Sequence, residues 1–222
     1  MKWNLIIFDW NGTALNDLPL VYGSVCSIFK TYGVKPPTLK TYREEITADF
    51  MKFYRHYGIP KTASHNDLNK LRARYFEKNW NKAKLRPGVK LFLEQLDKIP
   101  DFQTAIVSAE ITEVLSQRLC GFNIIVSLLD KIIGNAWDKE KALLDTIDTL
   151  GVKTENAVYV DDTFDGLTAA KNLGIHTIGF TAGYNTKKRI LAAKPDFPNS
   201  KFPNINNFRQ IAKIIGYVNN IK

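Results

Sequence analysis

Cysteine and histidine are scarce in this chain of 222 residues, which contains two cysteines and three histidines. Cys26 and Cys120 lie far apart, and they form neither a CxxC motif nor a cluster with a histidine. This spacing argues against a disulfide-stabilised scaffold and against a structural zinc site. Cysteine usage of this kind is typical of a reducing compartment, so we expect a cytoplasmic protein.

Long apolar runs are also missing. The apolar run nearest the start of the sequence, residues 5–8, has four residues and ends at Asp9, so it is shorter than the core of a signal peptide. No stretch approaches the roughly 18 apolar residues that a membrane-spanning helix needs, and we find no internal repeat or low-complexity tract. We therefore expect no membrane partner.

Apolar residues are nevertheless abundant enough for a buried core, because 45% of the chain is hydrophobic and 12% is aromatic. This composition excludes a disordered chain. The length favours one domain, or one domain with an insertion, since most domains have about 100–150 residues.

Positive charge exceeds negative charge and is concentrated in one region. The chain has 31 Lys and Arg against 22 Asp and Glu, a formal net charge of +9, and residues 16–86 alone have 14 against six. Aromatic residues are interleaved with these basic residues, a combination that can bind nucleic acid. At helical spacing, however, such aromatics more often pack in a core while the charges face solvent. We therefore do not expect a nucleic-acid partner, and we interpret the charge as steering for a small anionic substrate.

The hydrophobic pattern divides the chain into three regions. Residues 2–9 form an apolar segment followed by the breakers Asn11 and Gly12, which predicts a buried strand. Helical periodicity then extends over residues 16–86, in three segments separated by Gly and Pro: 18–32, 39–57 and 67–80. From Pro87 onward, helix-like and strand-like segments alternate, which predicts a mostly parallel sheet with helices on both faces.

These regions predict an α/β fold with an inserted domain. Residues 1–15 and 87–222 form a doubly wound, Rossmann-like core, and residues 16–86 form an α-helical cap. Ligands of open α/β sheets bind outside the carboxyl ends of the strands, so the residues that follow each strand form the candidate site. Carboxylates, a hydroxyl and a lysine occupy four such places: residues 9–13, residues 108–110, the region of Lys139, and residues 161–165. This combination suits Mg²⁺, which prefers carboxylate and phosphate oxygens.

Four segments, in this order along the chain, resemble the motifs of one enzyme family. A strand followed by DxDGT is matched by FDWNGT at residues 8–13, and a strand ending in Ser or Thr by AIVS at 105–108. A lysine near a helix start is matched by Lys139, and a strand followed by acidic residues by VYVDDTFD at 158–165. The sequence is therefore similar to the haloacid dehalogenase superfamily of phosphohydrolases, in the phosphoglycolate phosphatase-like branch with a helical cap.

This resemblance implies a Mg²⁺-dependent phosphatase that acts on a small phosphorylated substrate. Asp9 would attack phosphorus to form an aspartyl-phosphate, which water then hydrolyses. Ser108 would hydrogen-bond a phosphoryl oxygen, and Lys139 would neutralise the nucleophile and the transferring group. The resemblance further implies substrate binding by Gly12, Thr13 and Ala109, and metal binding by Asp9, the backbone carbonyl of Asn11 and Asp162.

The first departure from the family pattern is Asn11. It stands where the phosphatases have the Asp that protonates the leaving oxygen, and such general acid catalysis contributes typically about 10²–10⁴-fold. An amide cannot supply that proton, so the chain is expected to hydrolyse esters with poor leaving groups slowly. Asn11 therefore keeps two alternatives open: a weakly active or inactive member that acts as a binding protein, and a dehalogenase- or phosphonatase-type hydrolase.

The second departure lies in the fourth motif. Counting from Asp162 places Gly166 at the usual second Asp, whereas counting from Asp161 restores the family spacing to Asp165. Asp161, Asp162 and Asp165 are therefore all candidate metal ligands, and all three could instead cap the following helix. Two similar alternatives concern single residues: Lys141 could replace Lys139, and Ser108 could be the N-cap of the next helix.

Overall fold

A five-stranded parallel sheet forms the centre of the computed structural model, which describes residues 3–47, 49–124 and 126–219. The strands are, in chain order, β1 Leu5–Phe8, β2 Leu15–Asn16, β3 Lys84–Leu85, β4 Gln103–Val107, β5 Lys131–Ile133, β6 Ala157–Asp161 and β7 His176–Gly179. The central sheet has the order β5-β4-β1-β6-β7, and every neighbouring pair is parallel. The predicted strand 2–9 begins at Lys2, which lies outside the described residues, and the observed strand begins at Leu5.

Helices connect the strands and cover the sheet. They are α1 Leu18–Thr31, α2 Leu39–Glu45, α3 Phe50–His56, α4 His65–Asn79, α5 Val89–Leu96, α6 Thr112–Gly121, α7 Lys139–Leu150, α8 Phe164–Asn172, α9 Lys187–Ala192 and α10 Phe208–Asn219. Short 3-10 helices lie at Trp80–Lys82, Val126–Leu128 and Thr154–Asn156. Within the described ranges, no helix combines the length and the apolar composition needed to cross a membrane.

The central sheet is buried on both faces. Successive side chains of a strand point to opposite sides, and all four residues of β1 are buried. Ile6 and Phe8 pack in a cluster with residues of α5 and α10, while Leu5 and Ile7 pack in a second cluster with residues of α7 and α8. A continuous apolar run is what a parallel strand between two helical layers requires. The predicted doubly wound, mostly parallel α/β fold is confirmed.

The region from residue 16 to residue 86 contains the four helices α1–α4, which we call the cap. The prediction of a single helical segment over residues 39–57 is wrong, because α2 and α3 are separate helices. The backbone of Ile46 is extended, and the Asp49 side chain accepts from the backbone N–H of Lys52 to begin α3. The β-branched residues Ile46 and Thr47 favour helix less than unbranched residues do, and Asp is a preferred N-cap. A break at this place follows from these preferences.

The chain enters and leaves the cap at one place. β2 and β3 form an antiparallel ribbon in which Leu15 pairs with Leu85 and Asn16 pairs with Lys84. The cap has its own apolar cluster, centred on Phe29, Tyr54 and Leu68. The ribbon is a short connection between this cluster and the sheet. The limits of the two domains, at residues 15/16 and 86/87, stay a prediction.

Candidate active site

The carboxyl ends of β4, β1 and β6 meet at one edge of the sheet, because these strands are parallel neighbours. Asp9 follows β1, Ser108 follows β4, Asp161 ends β6 and Asp162 comes next. Asp9, Asp161 and Asp162 are buried, and each offers a carboxylate oxygen that lies within 4.8 Å of the others. The structure therefore brings together carboxylates that are up to 153 positions apart in the sequence numbering, from 9 to 162.

Lys139 is the lysine that reaches these carboxylates. It is the first residue of α7, and its Nζ lies 2.6 Å from Asp9 Oδ1 and 2.8 Å from the carbonyl oxygen of Val107. Lys141 is exposed, and its backbone N–H donates to the N-cap Asp138. The geometry therefore favours Lys139 over Lys141 as the partner of Asp9.

Burial and mutual repulsion disfavour the charged forms of the clustered carboxylates. Burial raises the pKa of Asp9 to about 7, although Lys139 opposes the shift and the charge of Asp161 adds to it. Burial, followed by the charges of Asp161 and Asp9, raises the pKa of Asp162 well above its usual range. A cation between the carboxylates would reverse this repulsion. Three buried carboxylates with converging oxygens thus fit a hard divalent cation such as Mg²⁺.

The carboxylate of Asp162 is closely enclosed. Thr13 Oγ1 donates to its Oδ1 at 2.8 Å, and the backbone N–H of Tyr184 donates to its Oδ2. A Cβ at Gly12, where φ is +84°, would lie 2.3 Å from Oδ2, and a Cβ at Gly183 would lie 2.0 Å from the same atom. Both positions therefore require glycine. The hydroxyl of Thr13 contacts Asp162, and a substrate contact of Thr13 or Gly12 stays a prediction.

Asp161 belongs to the same cluster but has other partners. It accepts from Tyr159 Oη at 2.6 Å, from the backbone N–H of Thr163 at 2.7 Å and from Thr163 Oγ1 at 2.8 Å. Asp165 is the second residue of α8 and is exposed, and it is outside the group of three converging carboxylates. Of the three aspartates of the fourth motif, Asp161 and Asp162 therefore lie in the carboxylate cluster. A ligand role for Asp165 stays a prediction.

Ser108 and Asn11 contact each other at the same sheet edge. Ser108 is buried, and its Oγ donates to Asn11 Oδ1 at 3.2 Å and accepts from the backbone N–H of Glu110 at 3.1 Å. α6 begins at Thr112 with Ile111 as its N-cap, so the interpretation of Ser108 as a helix cap is wrong. Ala109, between Ser108 and Glu110, is half-buried. The loop after β4 therefore presents a hydroxyl toward the first motif.

Asp17 and Tyr184 belong to the site but are missing from the sequence-based set. Asp17 is buried and accepts from Asn11 Nδ2 at 2.8 Å, from Tyr184 Oη at 2.8 Å and from the backbone N–H of Gly12 at 3.0 Å. Burial raises the pKa of Asp17, an effect that the hydrogen bonds from Asn11 and Tyr184 oppose. Asp17 directly precedes a helix, where an Asp is ordinarily interpreted as an N-cap, so the sequence alone does not indicate a role in the site. Tyr184 lies in the loop that follows β7, so the strand-end rule, applied to that strand, would have found it.

Two arginines fix the loop that carries Tyr184. Arg86 Nη2 donates to the carbonyl oxygens of Gly12, at 2.7 Å, and of Ala182, at 2.9 Å. Arg43, on the cap helix α2, donates to the carbonyl oxygens of Gly183 and Asn185 at 3.1 and 2.9 Å. Guanidinium groups suit this role because they present several donors in a rigid plane. The loop over Asp162 is thereby tied to the first motif and to the cap.

A comparison with models of known protein families finds a match that includes these motifs. The model of the haloacid dehalogenase-like hydrolases matches residues 6–180, which include all four motifs. The chain belongs to the haloacid dehalogenase-like hydrolases. This match confirms the predicted family and the predicted hydrolase class.

Known members of the haloacid dehalogenase-like hydrolases resemble the chain over nearly its full length. A phosphoglycolate phosphatase of Vibrio parahaemolyticus is 27% identical over 207 residues, which cover 87% of this chain and 90% of that protein. A pyrophosphatase of Halalkalibacterium halodurans is 24% identical over 226 residues and covers 92% of this chain and 96% of that protein. Each of these two matches therefore covers at least 90% of the relative's own length.

Solved structures of the haloacid dehalogenase-like hydrolases share the fold. A family hydrolase from Streptococcus pneumoniae has a TM-score of 0.71 at 19% identity, with 97% of this chain and 98% of that chain covered. A haloacid dehalogenase-like protein from Agrobacterium tumefaciens has a TM-score of 0.74 at 21% identity, with 97% and 99% covered. These similarities support the fold alone, and the roles of the individual site residues stay predictions.

Proposed function

We propose that this hydrolase is a Mg²⁺-dependent phosphatase that releases phosphate from a small phosphorylated metabolite through an aspartyl-phosphate at Asp9. The observation that carries the proposal is the position of Asp9, a buried carboxylate 2.6 Å from Lys139 and within a cluster of three converging carboxylates. The names of the relatives, phosphoglycolate phosphatase and pyrophosphatase, support the same class of reaction. A cytoplasmic location agrees with this proposal.

The residues that would hold Mg²⁺ are Asp9, Asp162 and the backbone carbonyl of Asn11, with Asp161 beside them. When bound, the cation would offset the negative charge of the carboxylates and of the phosphate, and it would orient a phosphate oxygen. The side chain of Asn11 is irrelevant to this contact, because the ligand is its backbone carbonyl. The donor set is therefore complete although Asn replaces Asp at this position.

The chain's own residues divide the chemistry between them. The Asp9 carboxylate attacks phosphorus, the bond to the leaving oxygen breaks, and that oxygen keeps the electron pair. Lys139 balances the charge on Asp9 and on the transferring group, and Ser108 donates a hydrogen bond to a phosphoryl oxygen. A water molecule then attacks the aspartyl-phosphate, which releases phosphate and restores Asp9.

Positive charge on the cap serves to attract the substrate in this proposal. Residues 16–86 have an excess of eight basic residues, 14 against six, and this region has its own apolar cluster beside the sheet. We assign the cap to residues 16–86 and the catalytic core to residues 1–15 and 87–222. An anionic phosphate would be drawn toward such a surface, and the effect would weaken with added salt.

Asn11 favours one competing function, that of a weakly active family member that binds a phosphorylated ligand. The amide of Asn11 donates to Asp17 and accepts from Ser108, and an amide N–H is too weak an acid to protonate a leaving oxygen. A phosphatase with this residue is expected to prefer leaving groups that depart as stable anions. Acyl and aryl phosphates have such leaving groups.

Hydrolysis of acetyl phosphate and p-nitrophenyl phosphate separates the two functions. The phosphatase releases phosphate from both compounds only when Mg²⁺ is present, and chelation of the metal abolishes the reaction. A protein that binds phosphate but shows no metal-dependent turnover of either compound is a binding protein, and the proposal is then wrong.

A further inference from the structure

The amide group of Asn11 lies beside two carboxylates. Its Nδ2 donates to Asp17 Oδ2 at 2.8 Å and lies 3.5 Å from Glu110 Oε2, while its Oδ1 accepts from Ser108. Asp17 is buried, and the side chain of Glu110 is 18% exposed. The immediate surroundings of this side chain are therefore acidic.

The guanidinium of Arg118 lies next to the carboxylate of Glu110. Arg118, on α6, forms an ion pair with Glu110 and keeps 12% of its side chain exposed. Its guanidinium carbon lies 4.0 Å from the ring centroid of Trp80 at the end of the cap. Glu110 therefore keeps a partly buried carboxylate beside Asn11.

We propose that Glu110 determines the leaving-group specificity of this enzyme: it disfavours phosphate esters whose leaving group carries an anionic group and favours those with a hydroxyl or an ammonium. The inference rests on the proposed phosphatase function, in which the leaving group departs beside Asn11. There, an anionic group meets Glu110 with its like charge, and such repulsion in a partly buried place is a strong source of discrimination. A hydroxyl or an ammonium instead donates a hydrogen bond to Glu110.

The consequence is a difference from several relatives in substrate preference. Phosphoglycolate, which appears in their names, has a carboxylate on its leaving group. Pyrophosphate, which appears in another, has a phosphate as its leaving group. Because both groups are negatively charged, this chain is expected to hydrolyse both compounds slowly.

Three phosphate esters with the same two-carbon skeleton test the proposal: phosphoglycolate, 2-hydroxyethyl phosphate and phosphoethanolamine. At saturating Mg²⁺, we expect kcat/KM for 2-hydroxyethyl phosphate to exceed that for phosphoglycolate by about 10-fold or more, and phosphoethanolamine to be at least as good as 2-hydroxyethyl phosphate. For an ester that turns over too slowly, its inhibition constant against acetyl phosphate hydrolysis gives the same comparison.

The variant Glu110→Gln removes the charge and keeps the shape. We expect it to raise kcat/KM for phosphoglycolate about 10-fold, because the repulsion is lost and Arg118 becomes available to a carboxylate. The value for 2-hydroxyethyl phosphate should change less than about threefold. A gain on one substrate cannot result from misfolding, so the result is specific. Glu113→Gln, an exposed residue in the first turn of the same helix as Arg118, is the matched control and should alter neither value.

Two results would overturn the proposal while leaving the phosphatase function intact. In both, the wild-type protein hydrolyses acetyl phosphate with Mg²⁺. In the first, it prefers phosphoglycolate over 2-hydroxyethyl phosphate. In the second, Glu110→Gln leaves the ratio of the two substrates unchanged. Failure of the wild type to hydrolyse acetyl phosphate would reject the proposed function, and the specificity proposal with it.

Discussion

The candidate site has two sides that are built in different ways. We call the side that is proposed to hold Mg²⁺ the metal side. It consists of residues placed by strand ends and a helix start: Asp9, Lys139, Asp161 and Asp162. We call the side at which the leaving group is proposed to depart the leaving-group side. It consists of residues linked by hydrogen bonds from four separate loops: Asn11, Asp17, Glu110 and Tyr184. The first side is fixed by the sheet itself, while the second depends on side-chain contacts between loops. We therefore expect changes on the metal side to affect every substrate and changes on the leaving-group side to affect substrates unequally.

Among changes at residues other than Asp9, removal of the lysine charge from the metal side should have the largest effect. Lys139→Met should lower kcat for acetyl phosphate and p-nitrophenyl phosphate about 10²–10³-fold, because a positioned charge that stabilises the transition state is lost. The loss should be similar for both substrates in a phosphate-release assay. Lys141→Met, a change at an exposed lysine two positions away, is the control and should retain the wild-type rate. A rate loss confined to Lys141→Met would mean that the roles of the two lysines are reversed.

Loss of a metal carboxylate should reduce Mg²⁺ affinity by at least about 10-fold. We predict this effect for Asp162→Ala, and smaller losses for Asp161→Ala and Asp165→Ala, because Asp162 follows the strand at the place of the first metal carboxylate in the family pattern. Calorimetric titration of the three variants with Mg²⁺ makes the comparison. An equal or larger loss at Asp161 would show that the motif is to be counted from Asp161.

Restoring a carboxyl group on the leaving-group side should help poor leaving groups selectively. Asn11→Asp is expected to raise the rate on an alkyl phosphate by about 10-fold or more, with a much smaller change on p-nitrophenyl phosphate. The backbone carbonyl is unaltered, so Mg²⁺ affinity should change little. Rates on the two substrates are compared at saturating Mg²⁺. Parallel changes on both substrates would show that protonation of the leaving group does not depend on position 11.

The smallest effect is predicted for loss of the Tyr184 hydroxyl, which donates a hydrogen bond to Asp17. Tyr184→Phe removes the hydrogen bond to Asp17 Oδ2 but keeps the backbone N–H that contacts Asp162. We expect the free energy of unfolding to fall by about 1–2 kcal/mol in urea denaturation, since a buried acceptor loses a donor. Mg²⁺ affinity should stay at the wild-type value. Tyr217→Phe, at a half-exposed residue of α10, is the control for the loss of a phenolic hydroxyl. A large drop in Mg²⁺ affinity in Tyr184→Phe alone would show that Mg²⁺ binding depends on the leaving-group side.

The metal side could be predicted because it follows from one rule. Apolar runs identify the parallel strands, and the residues after them meet at one edge of the sheet. This rule finds Asp9, Ser108, Asp161 and Asp162. Lys139 was predicted from its place at a helix start, and its distance to Asp9 supports that assignment.

Asp17, on the leaving-group side, was missed because no periodic pattern marks it. Asp17 precedes Leu18 and Pro19 at a helix start, where an acidic residue is ordinarily a cap, yet its side chain makes no cap hydrogen bond and points instead to Asn11. Glu110 lies in the predicted segment 108–110, but its ion pair with Arg118 on the following helix was not predicted. Pairings of this kind depend on how loops pack, and their sequence spacing is not fixed. The break between α2 and α3 was missed for a related reason, since a local cap outweighed the apolar periodicity of the segment.

Trapping of the covalent intermediate would show whether Asp9 is the nucleophile. Wild-type protein is mixed with acetyl phosphate and Mg²⁺, quenched in acid and digested, and the peptides are analysed by mass spectrometry. We expect one phosphoryl group on the peptide that contains Asp9, and neither this label nor phosphate release in Asp9→Asn. A phosphoryl group on another residue, or an Asp9→Asn variant that retains most of the wild-type rate, would contradict this expectation.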